Sequence, residues 1–379
     1  MEDKLGFAII GCGRISSKHV EGIINNHLEA RLVAVSDLAE NKMDDSIEFY
    51  NNYFNENNIE TSTDELEELK NNKIKKYQEY KELLKDKDID VVTIATESGY
   101  HPEIAIEALK ADKHVIVEKP MALSIADADK MIEVAEERNL KLSVCHQNRF
   151  NPTIQGLRSA LEEDRFGKLV HAVASVRWNR NEAYFNMDDW HGTLALDGGI
   201  LMNQCIHNID MLRWMMGDVE RITAETDTFL RDIETEDAGV AVLRFKNGAV
   251  GIIEGTVCVY PRNLEETFNI FGENGTVRVA GIAMNEIIDW NFADGADNEA
   301  EQMKEANYET DTVYGYGHNL LFADVIEAIK EDRKPLIDGR EGKKAVEVIL
   351  AIYKSSRTGQ SIEFPLEDYS TTTGVDLNE

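Results

Sequence analysis

Two stretches of the chain carry side chains able to move protons and charge. The first is Val115-Ile116-Val117-Glu118-Lys119-Pro120. Its β-branched run reads as a buried parallel strand. Its end delivers Lys119 to the carboxyl edge of a sheet, where open α/β sheets bind ligands. Pro120 restricts the backbone there and removes a donor. The second is Asp197-Gly198-Gly199 and the helix expected to run from it through Met216 and stop at Gly217. Asn203, His207 and Asp210 fall at i, i+4 and i+7, one face of such a helix. An amide and a carboxylate on that face set the tautomer and orientation of the imidazole. A histidine satisfied by structural hydrogen bonds is the plainer account of this helix alone; a lysine at the mouth of a nucleotide domain weakens it. Imidazole and ammonium together suit oxidation of a secondary alcohol. The imidazole takes the hydroxyl proton, and the ammonium stabilises the developing alkoxide, with Glu118 as the natural orienter of Lys119. No group of His, Cys, Asp and Glu has metal-ligand spacing along the chain, which favours a metal-free route.

The elements that must position Lys119 begin at the N-terminus. Residues 7–10 read as a strand, Gly11-Cys12-Gly13-Arg14-Ile15-Ser16 as a turn, the stretch to Ile24 as a helix and 32–37 as the next strand. In a dinucleotide fold Gly11 permits the turn, and Gly13 lets the backbone approach a pyrophosphate at the helix N-terminus. Ser16 stands where a third glycine is usual. Asp37 closes the second strand and accepts hydrogen bonds from the adenosine ribose. No arginine follows it to meet a 2′-phosphate, so NAD is expected rather than NADP. Residues 41–88 are longer than one crossover helix requires and read as an exposed insertion with one extra helix, Thr63 capping its acidic start, followed by a helix over 77–85. Strands at 91–95 and 142–145 and helices from His101 and Ser124 complete roughly six strands with interleaved helices. Thr96 and His101, at the same sheet edge, are candidates to line the nicotinamide; for His101 a purely structural place at a helix start is an equal reading.

After Pro152 the pattern changes. Strands are expected at 169–176, 222–227, 238–245, 251–257, 267–271 and 275–279, with hairpin signals at Asn247-Gly248 and Asn274-Gly275. Their alternation suits a sheet with one covered face. Val240, Val242, Ile252 and Val257 would leave an apolar outer face, which points to subunit pairing. Two late helices, 318–330 and 341–353, return toward the first domain, and residues from about 366 onward read as a loose polar tail. The domains expected are therefore 1–147, holding the insertion within 41–88, and 148–379. The fold class is α/β: a doubly wound parallel sheet plus an α+β domain with a large, open-faced, mostly antiparallel sheet.

Composition agrees with this reading. A chain of 379 residues is too long for one ordinary core. Four cysteines stand singly, without a CxxC pair, so neither a zinc framework nor disulfides are indicated and a reducing cytoplasm is the simplest setting. No apolar run nears the ~20 residues of a membrane span, and the early strand leaves no room for a leader. The formal charge of −31 disfavours nucleic acid as a partner. It also repels anions at long range, so an anion site must rest on local amides and a few cations.

The ordered set Gly11-Cys12-Gly13-Arg14-Ile15, Glu118-Lys119-Pro120, Asp197-Gly198-Gly199 with His207 and Asp210, and Gly339-Arg340-Glu341 resembles the Gfo/Idh/MocA oxidoreductase family over roughly residues 5–365. The resemblance implies a Rossmann domain, an open-faced sheet domain that pairs subunits into homodimers or homotetramers, and Lys119 with His207 as the catalytic pair. The cofactor NAD would meet Gly11, Gly13, Arg14, Ile15, Asp37, Thr96, His101, Glu118, Lys119 and Gln147. Inositol-type members carry an aspartate four residues before the histidine, where this chain has Asn203. Met202-Asn203-Gln204 and Gln147-Asn148-Arg149-Phe150-Asn151-Pro152 look like the branch acting on nucleotide sugars, which implies oxidation at the sugar C3 hydroxyl of a UDP-N-acetylhexosamine or its uronic acid. In that reading Lys119, Arg149, Asn151, Arg177, Arg180, Tyr184, Asn203, His207 and His318 meet substrate, the guanidinium groups suiting a diphosphate. A free sugar or inositol dehydrogenase, or a non-catalytic NAD-binding regulator on the same fold, are the alternatives.

Overall fold

The apolar runs at 5–10, 91–94 and 114–117 lack polar alternation because both faces of their sheet are covered. The computed structural model describes residues 4–56, 61–295, 298–310 and 312–374. In chain order the first part holds β1 (Leu5–Ile10), α1 (Ser16–Asn25), β2 (Ala30–Ser36), α2 (Glu40–Glu56), α3 (Thr63–Lys70), β3 (Lys75–Tyr77), α4 (Tyr80–Leu83), β4 (Val91–Ile94), α5 (His101–Lys110), β5 (His114–Val117), α6 (Ile125–Glu137) and β6 (Leu142–Val144). The six strands are parallel in the order β3-β2-β1-β4-β5-β6. The order reverses between β1 and β4, so the switch point lies where Gly11 leaves β1.

The insertion matches expectation in part. Beyond the crossover helix α2 it carries the one extra helix expected, α3, but an edge strand, β3, precedes the next helix, and that helix is the short α4 (Tyr80–Leu83) rather than one over 77–85. Residues 57–60 of the insertion lie outside the described residues. Ser62, not Thr63, caps α3: its hydroxyl accepts the Glu65 N–H at 3.3 Å, and the Glu65 carboxylate accepts the Ser62 N–H at 3.2 Å. This reciprocal pair is what the acidic start of the helix supports.

The remaining elements are α7 (Pro152–Glu162), β7 (Leu169–Arg177), α8 (Glu182–Phe185), α9 (Ile200–Asn203), α10 (Ile206–Met216), β8 (Val219–Asp227), β9 (Ala238–Phe245), β10 (Val250–Thr256), β11 (Glu265–Gly272), β12 (Gly275–Ala280), β13 (Glu286–Phe292), α11 (Glu299–Met303), α12 (Gly317–Lys330), α13 (Gly339–Thr358) and β14 (Ile362–Glu363). Eight strands form one sheet in the order β13-β12-β11-β7-β10-β9-β8-β14, antiparallel apart from β7 with β10. β13 was not anticipated. Both expected hairpins are present, joining β9 to β10 and β11 to β12. Ala172, Ala174, Val176, Leu243, Ile253, Phe268 and Ile270 are buried on one face with Leu212 and Met215 of α10. On the other, Val240 and Val242 are 53% and 55% exposed and Ile252 is exposed too. Val257 does not join them: it lies past the end of β10, buried, with its N–H on the Asp237 carbonyl.

The chain divides into two compact units. The first comprises the described residues of 1–121, 127–145 and 318–342, and the second those of 122–126, 146–317 and 343–379. Within the first, Phe322 of α12 stacks on Phe7 at 5.9 Å, and the Ile337 carbonyl accepts the Val144 N–H at 3.1 Å. Within the second, the expected tail is tied down. Leu366, Tyr369 and Thr371 are buried, and Tyr369 and Thr371 exchange backbone hydrogen bonds with Ile125 and Leu123. Among the described residues no helix is long and apolar enough to cross a membrane.

Two acids of the second unit, Glu266 and Glu236, are buried without a cation against them among the described residues. Burial pushes Glu266 of β11 up to about 8, Asn208 pulling weakly the other way. Burial likewise pushes Glu236 up to about 7, against donors on the Leu201 N–H (2.9 Å) and the Tyr353 hydroxyl (2.8 Å). A carboxyl held protonated in the fold binds a proton that the unfolded chain has released. Stability is therefore full below about pH 4 and falls as pH rises through the folded value. Glu266→Gln, which mimics the protonated acid, is expected to gain on the wild type by on the order of 1 kcal/mol per pH unit between pH 5 and 8, read from urea unfolding across that range.

Candidate functional site

In the first unit the turn after β1 is built for a close ligand. Gly11 sits at φ +90°, and a Cβ there would lie 2.6 Å from the Ala95 backbone. A Cβ at Gly13 would meet nothing within 4 Å, so the space in front of it is open. Ile15, the N-cap of α1, offers no side-chain cap to the first turn. An open cradle beneath uncapped amides suits a pyrophosphate, and the residues fit the expected dinucleotide. Asp37 closes the turn: its carboxylate accepts the Cys12 N–H at 2.9 Å and the Ala39 N–H at 2.9 Å. Gly11, Gly13, Arg14, Ile15 and Asp37 are the residues that would hold it.

At the neighbouring strand ends the side chains turn to one another. His101 is buried, with Nδ1 2.8 Å from the Pro120 carbonyl and Nε2 3.0 Å from that of Thr96. Burial lowers its pKa against the pull of both carbonyls. It ties the Thr96 loop to the Lys119-Pro120 turn, the structural reading rather than the nicotinamide-lining one. Glu118, expected to orient Lys119 and meet cofactor, accepts the Lys119 backbone N–H on Oε2 and directs Oε1 at two histidines. Oε1 lies 3.1 Å from His19 Nε2 and 3.2 Å from His318 Nε2, which occupies the place expected for substrate on His318. Ligand atoms of His19, Glu118, Cys145 and His318 all lie within 4.8 Å of one another. The absence of metal-ligand spacing along the chain thus did not extend to space. His19 and Cys145 were missed. Register gives the signal for Cys145: Val117 pairs with Val144, so Glu118 and Cys145 end adjacent parallel strands.

In the second unit the expected helix over 200–216 is broken at Gln204 and Cys205 into α9 and α10. Asn203 therefore does not continue the face of His207; its amide donates to Asp197. Asp210 does not orient His207 either. It takes a bidentate pair from Arg149, Nε to Oδ2 and Nη2 to Oδ1, both 2.7 Å. Arg149 is 1% exposed and its guanidinium lies 4.8 Å from the centre of the Trp214 ring. The substrate contact expected of Arg149 gives way to this pairing, because a buried guanidinium needs its carboxylate. Burial alone would raise the Asp210 pKa; Arg149 and His146 reverse that and hold it below its usual value. Among the neighbours of His207 are the Gln147 amide, 3.4 Å from Nε2, and the His146 ring, edge-on at 5.9 Å. Asn151 is buried, its amide on the Ala283 carbonyl at 2.8 Å.

Arg177 is also spoken for. It lies on the open sheet face between Glu254, 2.8 Å from Nε, and Glu265. Arg180 stacks on Trp178 and Tyr184, at 4.7 and 5.2 Å, and bonds neutral acceptors, the Asn179 carbonyl and the Asn263 amide oxygen. The Tyr184 hydroxyl, pushed up to about 12 by burial, accepts from the Gln204 amide at 2.9 Å.

Residues 5–146 match the family model described as an oxidoreductase family with an NAD-binding Rossmann fold, and residues 154–278 match the GFO/IDH/MocA C-terminal domain. The chain is 38% identical to the WlbA dehydrogenase of Bordetella pertussis, solved in complex with NADH and UDP-GlcNAcA, over 97% of this chain and 99% of that one, with a TM-score of 0.85. It is 34% identical to the WlbA dehydrogenase of Chromobacterium violaceum in the same complex, over 96% and 97%, with a TM-score of 0.84. It is also 28% identical to the myo-inositol 2-dehydrogenase of Thermotoga maritima, over 94% of this chain and 97% of that protein.

The Arg149–Asp210 pair generates a stability expectation. Asp210→Asn leaves a guanidinium buried without its counter-charge and should cost about 3–5 kcal/mol. Replacing both residues by apolar ones of similar volume should restore most of that. Chemical denaturation of the single and double variants checks both statements.

Proposed function

Because the chain belongs to the Gfo/Idh/MocA oxidoreductase family, we propose that it oxidises the C3 hydroxyl of a UDP-N-acetylhexosamine, UDP-N-acetylglucosamine or its uronic acid, to the 3-keto sugar, with NAD as cofactor. The observation that carries this is full-length similarity to two dehydrogenases whose structures hold NADH and UDP-GlcNAcA, at higher identity than to the inositol enzyme. Asn203, in the position where inositol-type members resemble one another by an aspartate, supports the same reading.

NAD, when bound, supplies the acceptor for the hydride that leaves carbon. His207 takes the proton of the reacting hydroxyl as general base. The Lys119 ammonium stabilises the alkoxide as it develops. With Arg149 and Arg177 neutralised by carboxylates, Arg180 is the guanidinium in this region with charge to offer a diphosphate. On a chain of net charge −31 such a local cation counts for more than the protein's field. Lys119 and His207 remain in this proposal the two groups on which turnover depends.

The second reading, a dehydrogenase of a free polyol, is favoured by the match to the Thermotoga enzyme. The copies of the chain pair through the open face of the eight-stranded sheet, where Val240, Val242 and Ile252 would otherwise meet water.

The test is reduced-nicotinamide absorbance with NAD and each of UDP-N-acetylglucosamine, its uronic acid, myo-inositol and glucose. Turnover on a UDP-sugar is expected, and turnover on inositol or glucose alone would replace this reading with the second. Lys119→Ala and His207→Ala should each lose on the order of 10²–10⁴ in kcat while still binding NAD. Arg180→Ala should raise the KM for the UDP-sugar about tenfold or more and leave NAD affinity as it was. Val242→Asp should shift the sedimenting species toward monomer; an unchanged species would remove the sheet face as the subunit contact.

A further inference from the structure

The cluster behind Lys119 belongs wholly to the first unit and is assembled from four separate elements. We propose that His19, His318 and Cys145 are positioning residues that clamp Glu118 as a buried anion next to Lys119, and that the proton balance of this clamp sets the acid side of the enzyme's activity. The proposal rests on Lys119 being the ammonium used in turnover.

Glu118 follows β5 and is buried. Its Oε1 lies between His19 Nε2 of α1 and His318 Nε2 of α12, at 3.1 and 3.2 Å, while Oε2 accepts the Lys119 backbone N–H at 3.2 Å. The Cys145 thiol also hydrogen-bonds the carboxylate. Nδ1 of His19 and of His318 is buried and, among the described residues, has no hydrogen-bond partner. That settles the protonation of the rings. An imidazolium would carry a buried Nδ1–H with nothing to accept it, whereas a neutral ring protonated at Nε2 leaves Nδ1 bare. The cluster thus holds one negative charge and three neutral donors.

The groups facing Glu118 are His19, His318, Cys145 and Lys119, with His101 across the turn and Lys18 acting on His318. Burial alone would raise the Glu118 pKa; the hydrogen bonds from His19 and His318 reverse this and keep it well below its usual value. Burial keeps His318 low and the Cys145 thiol well above its usual range. Glu118, His318 and Cys145 therefore each keep one protonation state across neutral pH.

Two histidines, a cysteine and a carboxylate are also a zinc-type donor set. A metal-bound histidine, however, donates its other N–H to an acceptor, which fixes the ring. Neither Nδ1 here has one. Both Nε2 atoms lie at hydrogen-bond distance from Oε1, which engages the nitrogens a metal would need.

The experiment has two readouts. Long-range ¹H–¹⁵N spectra of the histidine rings should show two rings with bare Nδ1 and protonated Nε2, unchanged from pH 5.5 to 8.5 and indifferent to chelator. His19→Leu and His318→Leu should lower kcat about 10–100-fold at pH 6 with KM within threefold. Their acid limb should move up by a pH unit or more, as Glu118 short of a donor takes a proton, and His→Gln, which restores a donor, should recover most of both. Should leucine prevent folding, Glu118→Gln serves: with no charge left to clamp, the acid limb disappears and kcat falls at every pH. Leucine variants with wild-type kcat and pH profile would reduce the cluster to packing. Rings that titrate near their ordinary value, or zinc bound one per chain, would overturn the clamp outright. If none of the sugars reacts, the proposed substrate falls, and the ring spectra still decide the clamp.

Discussion

Moving a carboxylate from water into a protein interior costs several kcal/mol unless other donors replace the water. Glu118 in the first unit and Asp210 in the second are two acids in that position, and much of the local architecture answers them. Glu118 draws donors from α1, from the end of β6 and from the start of α12. Asp210 draws Arg149 across from the segment after β6, and Trp214 roofs the guanidinium. In both cases the acid lies close along the chain to the residue expected to do chemistry, one position before Lys119 and three after His207. Rigidity at those two places follows from electrostatics as much as from apolar packing. Glu266 and Glu236 show the other solution: no cation among the described residues stands against them, and burial raises the pKa so that the acid keeps its proton to higher pH.

The parallel sheet was legible because its strands are uninterrupted apolar runs with glycine or polar turns at their ends. The order of Gly11, Gly13 and Asp37 along them marks a nucleotide turn without further help. Hairpins at Asn247-Gly248 and Asn274-Gly275 were legible for the same local reason. What escaped was decided by tertiary contact. Lys75-Lys76-Tyr77 becomes a strand only because β2 offers it an edge. The 200–216 helix breaks at Gln204-Cys205, where propensity alone gives no stop. Residues 369–371 lie in a stretch of polar composition yet are held by backbone bonds to 123–125.

Side-chain roles were legible by type and much less by partner. Arginines near a strand end read as anion ligands, but a chain with 71 acids and 40 bases offers each of them carboxylates first. Arg149 and Arg177 were taken in this way, and Arg180, stacked on aromatic rings, was not. The excess of acid thus acts as a filter on which cations stay available, a constraint that composition states and spacing does not. The same holds for His318, whose partner Glu118 lies 200 positions back along the chain.

The first unit is finished late. Its sheet is complete by Val144, but Phe322 covers Phe7, Ile337 receives the edge of β6, and His318 closes the ring around Glu118, all from residues some 170 positions or more further on. On a ribosome the nucleotide turn emerges first and then waits, with an apolar face uncovered, while the whole of 146–317 is made. The chain is in effect a domain with another inserted before its last segment, 318–342, and resumed after it. Cutting it at the apparent boundary would separate the anion from one of its donors and the sheet from its cover, so the N-terminal part is not a portable cofactor module.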